Sequence, residues 1–419
     1  MGQTLLGFGK RRFVGASLAT LALLITAGAV QAAEPIRTAT KLVFGDANTL
    51  FVADWQGARI HALRVPQVAA ASGKPFNLKD VQGPIARALR VDRSRVLFED
   101  MAVQPGSEVA YVSLSVAPAK DGGRASPALV SIDADGKVQV VQLGSVVSSS
   151  APINDAPAAD LKFWRNVPGQ IFTVTSMTVH ANKLYVAGLS NRVFASTLRV
   201  YDLPFNGRTQ ATTVEMYHPV HNQIETRAPI RTMVILPVAG VPTLLAAYTC
   251  TPLVAIPLSD LKDGAHIAAK TIAELGWGSE PTDMVSFNAG GADYVLLVNS
   301  SRAADLLPVS AIADSLKQPG LREPIKWPTE PLAGTRATMV PMSAVTQLDN
   351  LNKDLLLAMR RHDASGAMQL VSVPKGAYLR VSDFVNEYDF PGFVYQPNDG
   401  FREYHKVFHR LEGYPELAQ

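Results

Sequence analysis

Lys41–Leu63 reads KLVFGDANTLFVADWQGARIHAL. Apolar runs LVF, LFVA and IHAL are separated by Gly45-Asp46-Ala47-Asn48 and by Gln56-Gly57, residues that suit tight turns. Short alternating runs bounded by turn formers predict strand, turn, strand, link, strand. The rest of the chain repeats this plan.

A strand opening recurs as a small or acidic residue followed by Met and then alternation. The copies are EDMAV at Met101, TSMTV at Met177, RTMVI at Met233, TDMVS at Met284 and ATMVP at Met339, with Leu42 in the same place in the first unit. Each is followed by a second strand (LFVADW, AYVSLS, LYVAGLS, LLAAYTC, YVLLVNS, LLLAMRR) and a third (ARIHAL, PALVSI, TLRVYDL, PLVAIPL, ADLLPV, MQLVSV). Fourth strands are expected at Phe76–Val81, Lys137–Val141, Thr212–Met216, Ala269–Ala273 and Tyr378–Phe384. Four-stranded units of about 40 to 55 residues that bury their faces on one another describe a β-propeller. The fold class is therefore all-β: a propeller of six four-stranded blades over 33–384, with seven as the alternative count. The repeated Met reads as core packing.

The N-terminus has a different character. Lys10, Arg11 and Arg12 precede the apolar run Val14–Val30, and Val30-Gln31-Ala32 offers small residues for cleavage. This is the pattern of a signal peptide over 1–32, too short and wrongly flanked for a spanning helix. The paired arginines leave the twin-arginine route open beside the general one. The expected address is the periplasm, without membrane insertion after signal removal. Without those three cations the basic and acidic residues balance at 36 each, which argues against a nucleic-acid surface. The single cysteine, Cys250, excludes an internal disulfide, and C-x-x-C-H is absent.

Three stretches break the repeat. Pro84–Arg95 reads as a short helix and turn. Ser145–Gly169, rich in Ser, Ala and Pro and carrying Trp164, reads as a long functional loop. The tail, 385–419, is aromatic; Phe401, Tyr404, Phe408 and Leu411 share one face of a short helix. It is expected to pack on the propeller or a partner.

Propeller ligands sit where loops converge around the central tunnel. Residues placed before an inner strand or at the end of a second strand are Asp54, Asp100, Arg231, Cys250, Asp283, Asn299, Arg302 and Arg336, a mixed charged rim suited to a polar ligand or a divalent cation. The alternative is that these acids and arginines satisfy one another. The sharpest local cluster is EMYHPVHNQIETRAPIRT: His218, His221 and Glu225 place two imidazoles and a carboxylate in one loop, ordinary donors for a transition metal ion. No histidine neighbours Cys250 in sequence, so it reads as a small buried apolar residue. His405 and His409 have ligand-pair spacing but alternate with Arg402, Lys406 and Arg410, as on a solvated face. G-x-S-x-G, H-E-x-x-H, a phosphate loop and an EF-hand loop are all absent.

LVFGDANTLFVADWQGARIHAL resembles the repeats of NHL and gluconolactonase-like propellers, in which an Asp follows the second strand. LYVAGLSNRVFASTLRVYDLPF, ETRAPIRT and LLAAYTCTPLVAIPL resemble a family of exported bacterial propeller proteins without an assigned activity. The first likeness implies a tunnel cation held by Glu, Asn and Asp, for which Asp54, Asp100, Asp283 and Asn299 correspond by position, while TKLVF lacks the opening Glu. The expected function is a periplasmic binding or assembly protein with a protein partner or small polar ligand on the loop face. A metal-dependent lactonase or esterase-like hydrolase is the alternative, and a scaffold subunit of a periplasmic redox complex the second.

Overall fold

The second strand of the first unit shows why the fold closes on itself. Alternation along TLFVAD sends Leu50 and Val52 to one face and Phe51 and Ala53 to the other. The first pair packs with Ala102, Val109, Tyr111 and Leu129 of the second unit. The second pair packs with Met177, Leu184, Val186 and Tyr201 of the third. A strand apolar on both faces is stable only between two other sheets.

The computed structural model describes residues 35–68, 73–120, 122–276, 279–300, 302–326, 332–362 and 364–377, with 2, 330, 390 and 392–396. Chain order begins with β1 (Leu42–Phe44), β2 (Thr49–Asp54), β3 (Arg59–Arg64), β4 (Asn77–Leu78), helix α1 (Gln82–Leu89), β5 (Val96–Gln104), β6 (Val109–Val116), β7 (Ser126–Ile132), β8 (Val138–Val140), α2 (Leu143–Val146) and β9 (Val147–Pro152). Then come β10 (Ser176–His180), β11 (Lys183–Leu189), β12 (Ser196–Asp202), β13 (Thr209–His218), β14 (Gln223–Glu225), β15 (Ile230–Val238), β16 (Val241–Tyr248), β17 (Pro252–Pro257) and β18 (His266–Glu274). The remainder is β19 (Pro281–Ala289), β20 (Ala292–Asn299), β21 (Ala304–Pro308), α3 (Val309–Lys317), β22 (Ala333–Gly334), β23 (Thr338–Val340), β24 (Val345–Asn350), β25 (Leu355–Arg361) and β26 (Met368–Pro374).

The architecture is all-β and propeller-like. Four sheets have four strands, β1-β2-β3-β9, β5-β6-β7-β8, β19-β20-β21-β23 and β24-β25-β26-β4. The third and fourth units join through a parallel pairing of β13 with β18 into one larger sheet. Apolar clusters fill the spaces between facing units: second with sixth, first with second, first with third, third with fourth, fourth with fifth and fifth with sixth.

The order around this ring differs from the order along the chain. Going round, it is second, first, third, fourth, fifth, sixth, because two outer strands are exchanged. Phe76–Val81, expected to complete the first sheet, instead supplies β4, which pairs with β26 of the sixth unit. Backbone bonds from Val81 to Met368 and from Ser372 to Phe76 clasp it there. The chain therefore enters the second unit beside the sixth. It then returns through β9, which pairs with β3 and closes the first sheet, before entering the third.

Other expectations are corrected or refined. Met339 lies in β23, the outer strand of the fifth sheet, and the innermost strand of the sixth is β24, VTQLDN. Val340 points into the cluster between those sheets while Thr338 and Met339 are only partly buried, an alternation that ATMVP shares with an inner-strand opening. Ser145–Gly169 is part strand, since β9 takes its first residues. The fourth strands at Lys137–Val141, Thr212–Met216 and Ala269–Ala273 lie in β8, β13 and β18. The helix in Pro84–Arg95 is present as α1, with Ile85 and Ala86 buried. Tyr378–Phe384, the expected signal segment 1–32 apart from Gly2, and the tail apart from 390 and 392–396 lie outside the described residues.

Candidate functional site

Strands β1, β5, β10, β15, β19 and β24 surround a central cavity of about 450 Å³. Four of them carry a register shift near their starts, at Phe98/Asp100, Ile230/Thr232, Pro281/Asp283 and Val345/Gln347. Such bulges re-aim side chains at strand ends. Here they turn Glu99 and Arg231 toward one mouth of the tunnel, beside Lys41 and Thr175.

Inside, two of the expected rim acids meet a third that sequence reading missed. Asp100, Asp283 and Asp349 all line the cavity. Each accepts a backbone N–H from the neighbouring inner strand: Leu42 to Asp100 at 2.8 Å, Leu348 to Asp283 at 2.8 Å and Val103 to Asp349 at 2.7 Å. Asp283 and Asp349 also accept the N–H of the next residue, Met284 and Asn350. Burial and the nearby Asp100 push Asp283 up to about 7, and burial pushes Asp349 up to about 6. Asp100 is likewise raised by burial. These carboxylates tie adjacent sheets together, and their oxygens are engaged by the backbone. Asp349 escapes the sequence reading because ATMVP takes the place of the sixth inner strand there, whereas that strand is VTQLDN.

Arg231 lines the same cavity, whereas the remaining rim candidates do not converge there. Asp54 is fully buried and accepts from the Arg37, Thr38 and Gly57 amides and from the Thr38 hydroxyl, locking the turn after β2. Burial opposes its charge, yet His61 and those donors hold its carboxyl below the usual range. Asn299 and Arg302 both bind Asp305, at 3.0 and 2.6 Å, and fix the loop between β20 and β21. Arg336 is exposed between β22 and β23. Asp54, Asn299 and Arg302 thus bond local backbone groups, Thr38 and Asp305, not one another.

Arg231, with Cys250, also borders a second cavity, a largely apolar groove of about 610 Å³ at the same mouth. Phe163, Trp164, Val167 and Phe172 form one wall, from the segment between β9 and β10. Phe163 and Phe172 meet edge to face at 5.5 Å. Trp164 is 78% exposed, with the Arg165 guanidinium 4.1 Å above its ring. Arg227, Arg231 and Glu280 supply the charged groups.

The histidine cluster adjoins this groove. β13 and β14 form a hairpin in which the Tyr217 hydroxyl donates to Asn222 at 2.8 Å, and Asn222 takes a left-handed conformation. His218 is fully buried; His221 is 46% exposed. Glu225 Oε1 lies 2.9 Å from His218 Nδ1 and 2.6 Å from His221 Nδ1, so one carboxylate holds both rings. The ring centroids are 3.9 Å apart. Burial opposes a charged His218, but Cys250 and Glu225 hold its pKa at about 9. Burial likewise opposes a charged Glu225, but the two imidazoles hold it at about 2.

Cys250 follows β16 with φ of 76°, a left-handed conformation costly for any residue with a Cβ. Donor atoms of His218, His221 and Cys250 all lie within 4.8 Å of one another, a set that can hold a metal ion. The expected third member, Glu225, orients the rings, and Cys250 takes its place among the donors. The histidine beside Cys250 comes from another unit, so no local sequence signal marks it.

No protein-family model matches the chain, and neither does any curated protein. Function has to be read from the sites themselves. Among the described residues no helix is long and apolar enough to cross a membrane.

Proposed function

We propose that this chain is an exported binding and assembly module that captures a segment of a partner protein in the groove at one mouth of its propeller. Reading each unit as a blade gives six. The observation that carries the proposal is Trp164, almost fully exposed on the wall of an apolar groove. Exposed aromatic anchors beside arginines are the typical energetic centres of protein interfaces. Two arginines face one glutamate in the lining, Arg227 and Arg231 against Glu280. The occupant this chemistry suits is an extended segment with an apolar anchor and an acidic neighbour. The export assignment rests on the signal pattern in residues 1–32.

The tunnel acids support this reading over hydrolysis, because Asp100, Asp283 and Asp349 are engaged by inner-strand amides. The test is capture from a periplasmic extract on immobilised mature protein, comparing the native chain with Trp164→Ser and Phe163→Ser. A protein retained by the native chain and lost from both variants, at unchanged melting temperature, is the expected result. Equal retention by all three, or no retained protein, refutes the groove as the docking site.

A further inference from the structure

We infer that His218, His221 and Cys250 form a binding site for one transition-metal ion of the zinc class, with Glu225 as the carboxylate that positions both imidazoles. Cys250 also borders the docking groove, but metal binding needs no partner there.

Three features converge on it. A carboxylate only accepts hydrogen bonds, so Glu225 Oε1, at 2.9 and 2.6 Å from the two Nδ1 atoms, places the proton of each ring on Nδ1. That leaves Nε2 of each ring facing the metal, the carboxylate–histidine–metal arrangement that fixes ring direction, and an arriving ion displaces the Nε2 proton that a charged His218 carries. Second, the thiol of Cys250 stands within 4.8 Å of the histidine donor atoms although its turn belongs to another unit. Two imidazoles and a thiolate suit zinc or copper and do not suit magnesium or calcium, which take oxygen ligands. Third, Cys250 sits at φ of 76°, where Gly or Asn would cost less. A hairpin lock made only of His218, His221 and Glu225 would need neither the thiol nor its strained backbone.

The dimensions are compatible with modest contraction. Ligands of a tetrahedral ion with bonds of about 2.0–2.3 Å stand roughly 3.5 Å apart, so the donors must close by about 1 Å. His221, half exposed, and the Cys250 side chain have room to do so. His218 Nε2 faces the Thr251 hydroxyl at 3.2 Å, a rotor that turns away when the lone pair is taken. Binding forms two N–metal bonds and one S–metal bond and releases to solvent the thiol proton and the Nε2 proton of a charged His218, while a water completes the fourth position. Negative charge is at hand in Glu225, while burial works against charge on the nearby Glu274.

The test is cobalt(II) titration of the mature protein, followed by zinc displacement. One equivalent should bind with tetrahedral visible bands and a thiolate-to-cobalt charge-transfer band. Cys250→Ser should lose the charge-transfer band, and His221→Ala, at an exposed position, should weaken zinc binding on the order of 100-fold with an unchanged circular dichroism spectrum. Glu225→Gln should weaken it about 10- to 100-fold while keeping the charge-transfer band, as a positioning residue does. In parallel, zinc should slow alkylation of Cys250 by iodoacetamide. Failure to bind one equivalent, an unchanged spectrum in Cys250→Ser, or alkylation indifferent to zinc would overturn the assignment.

Discussion

At the residue scale, carboxylates of the inner strands add hydrogen bonds between sheets whose faces are packed by apolar side chains, and Asp283 is one of them. Its folded-state pKa of about 7 stands above the ordinary carboxyl value of 3.8. Between those values the folded protein holds a proton that the unfolded chain has released. The stability this contributes is complete below about pH 4 and is lost as pH rises through 7. The urea midpoint should therefore fall between pH 5 and pH 8, by an amount equivalent to about 1 kcal/mol or more. Asp283→Asn should flatten that fall while lowering stability at every pH, because an amide N–H₂ then faces a backbone N–H of Leu348 or Met284. An undiminished slope in the variant would place the titration elsewhere. Gly188 is set by a different constraint: a Cβ there would stand 2.0 Å from the Thr173 carbonyl oxygen. The same carbonyl accepts from Arg199, buried beneath it and paired to Asp155 at 2.6 Å. Gly188→Ala should destabilise by about 2–4 kcal/mol, seen as a lowered thermal midpoint, since backbone on both sides must move.

At the element scale, the outer strands matter most because two of them belong to sheets distant along the chain. β9 covers the outer edge of β3, and Ala151 within it is 5% exposed in the cluster shared by the first and third units. Ala151→Asp buries a carboxylate without a partner and should lift β9 from the sheet at a cost of about 3 kcal/mol or more. Hydrogen exchange should then accelerate at β3 amides while those of β20 and β25 stay protected; equal acceleration everywhere would mean the ring unfolds as one unit. The innermost strands were readable from their alternation, whereas ATMVP misled because an outer strand facing an apolar cluster shows the same pattern. Outer strands as short as Asn77–Leu78 carry almost no periodic signal, so their pairing partner is settled by which edge lies open.

At the scale of the whole molecule, the exchange of outer strands makes the ring hard to open. Residues early in the chain close the last unit, and the second unit sits between the first and the sixth. Asn352 of the sixth unit donates to Glu108 of the second at 2.7 Å, a contact that a ring built in chain order would not contain. Glu108→Cys with Asn352→Cys, in a Cys250→Ser background, should oxidise to an intramolecular disulfide that alters gel mobility. Failure to form it, with efficient crosslinking between the second and third units instead, would restore the chain-order ring.

The sequence by itself determined the all-β class, the strand repeat and most strand positions, because a strand's two-residue period and its turn formers are local properties written within a few residues. It also pointed to His218, His221 and Glu225, which share one hairpin. Only the tertiary structure decided the order of units around the ring, the meeting of Asp100, Asp283 and Asp349, and the approach of Cys250 to two histidines. Each of those depends on which sheet edges and faces remain unburied once the others have packed, a non-local competition that no short stretch records. The stretch from Lys41 thus specified its own three strands. The fourth strand of its sheet came from Val147–Pro152, on the far side of the second unit.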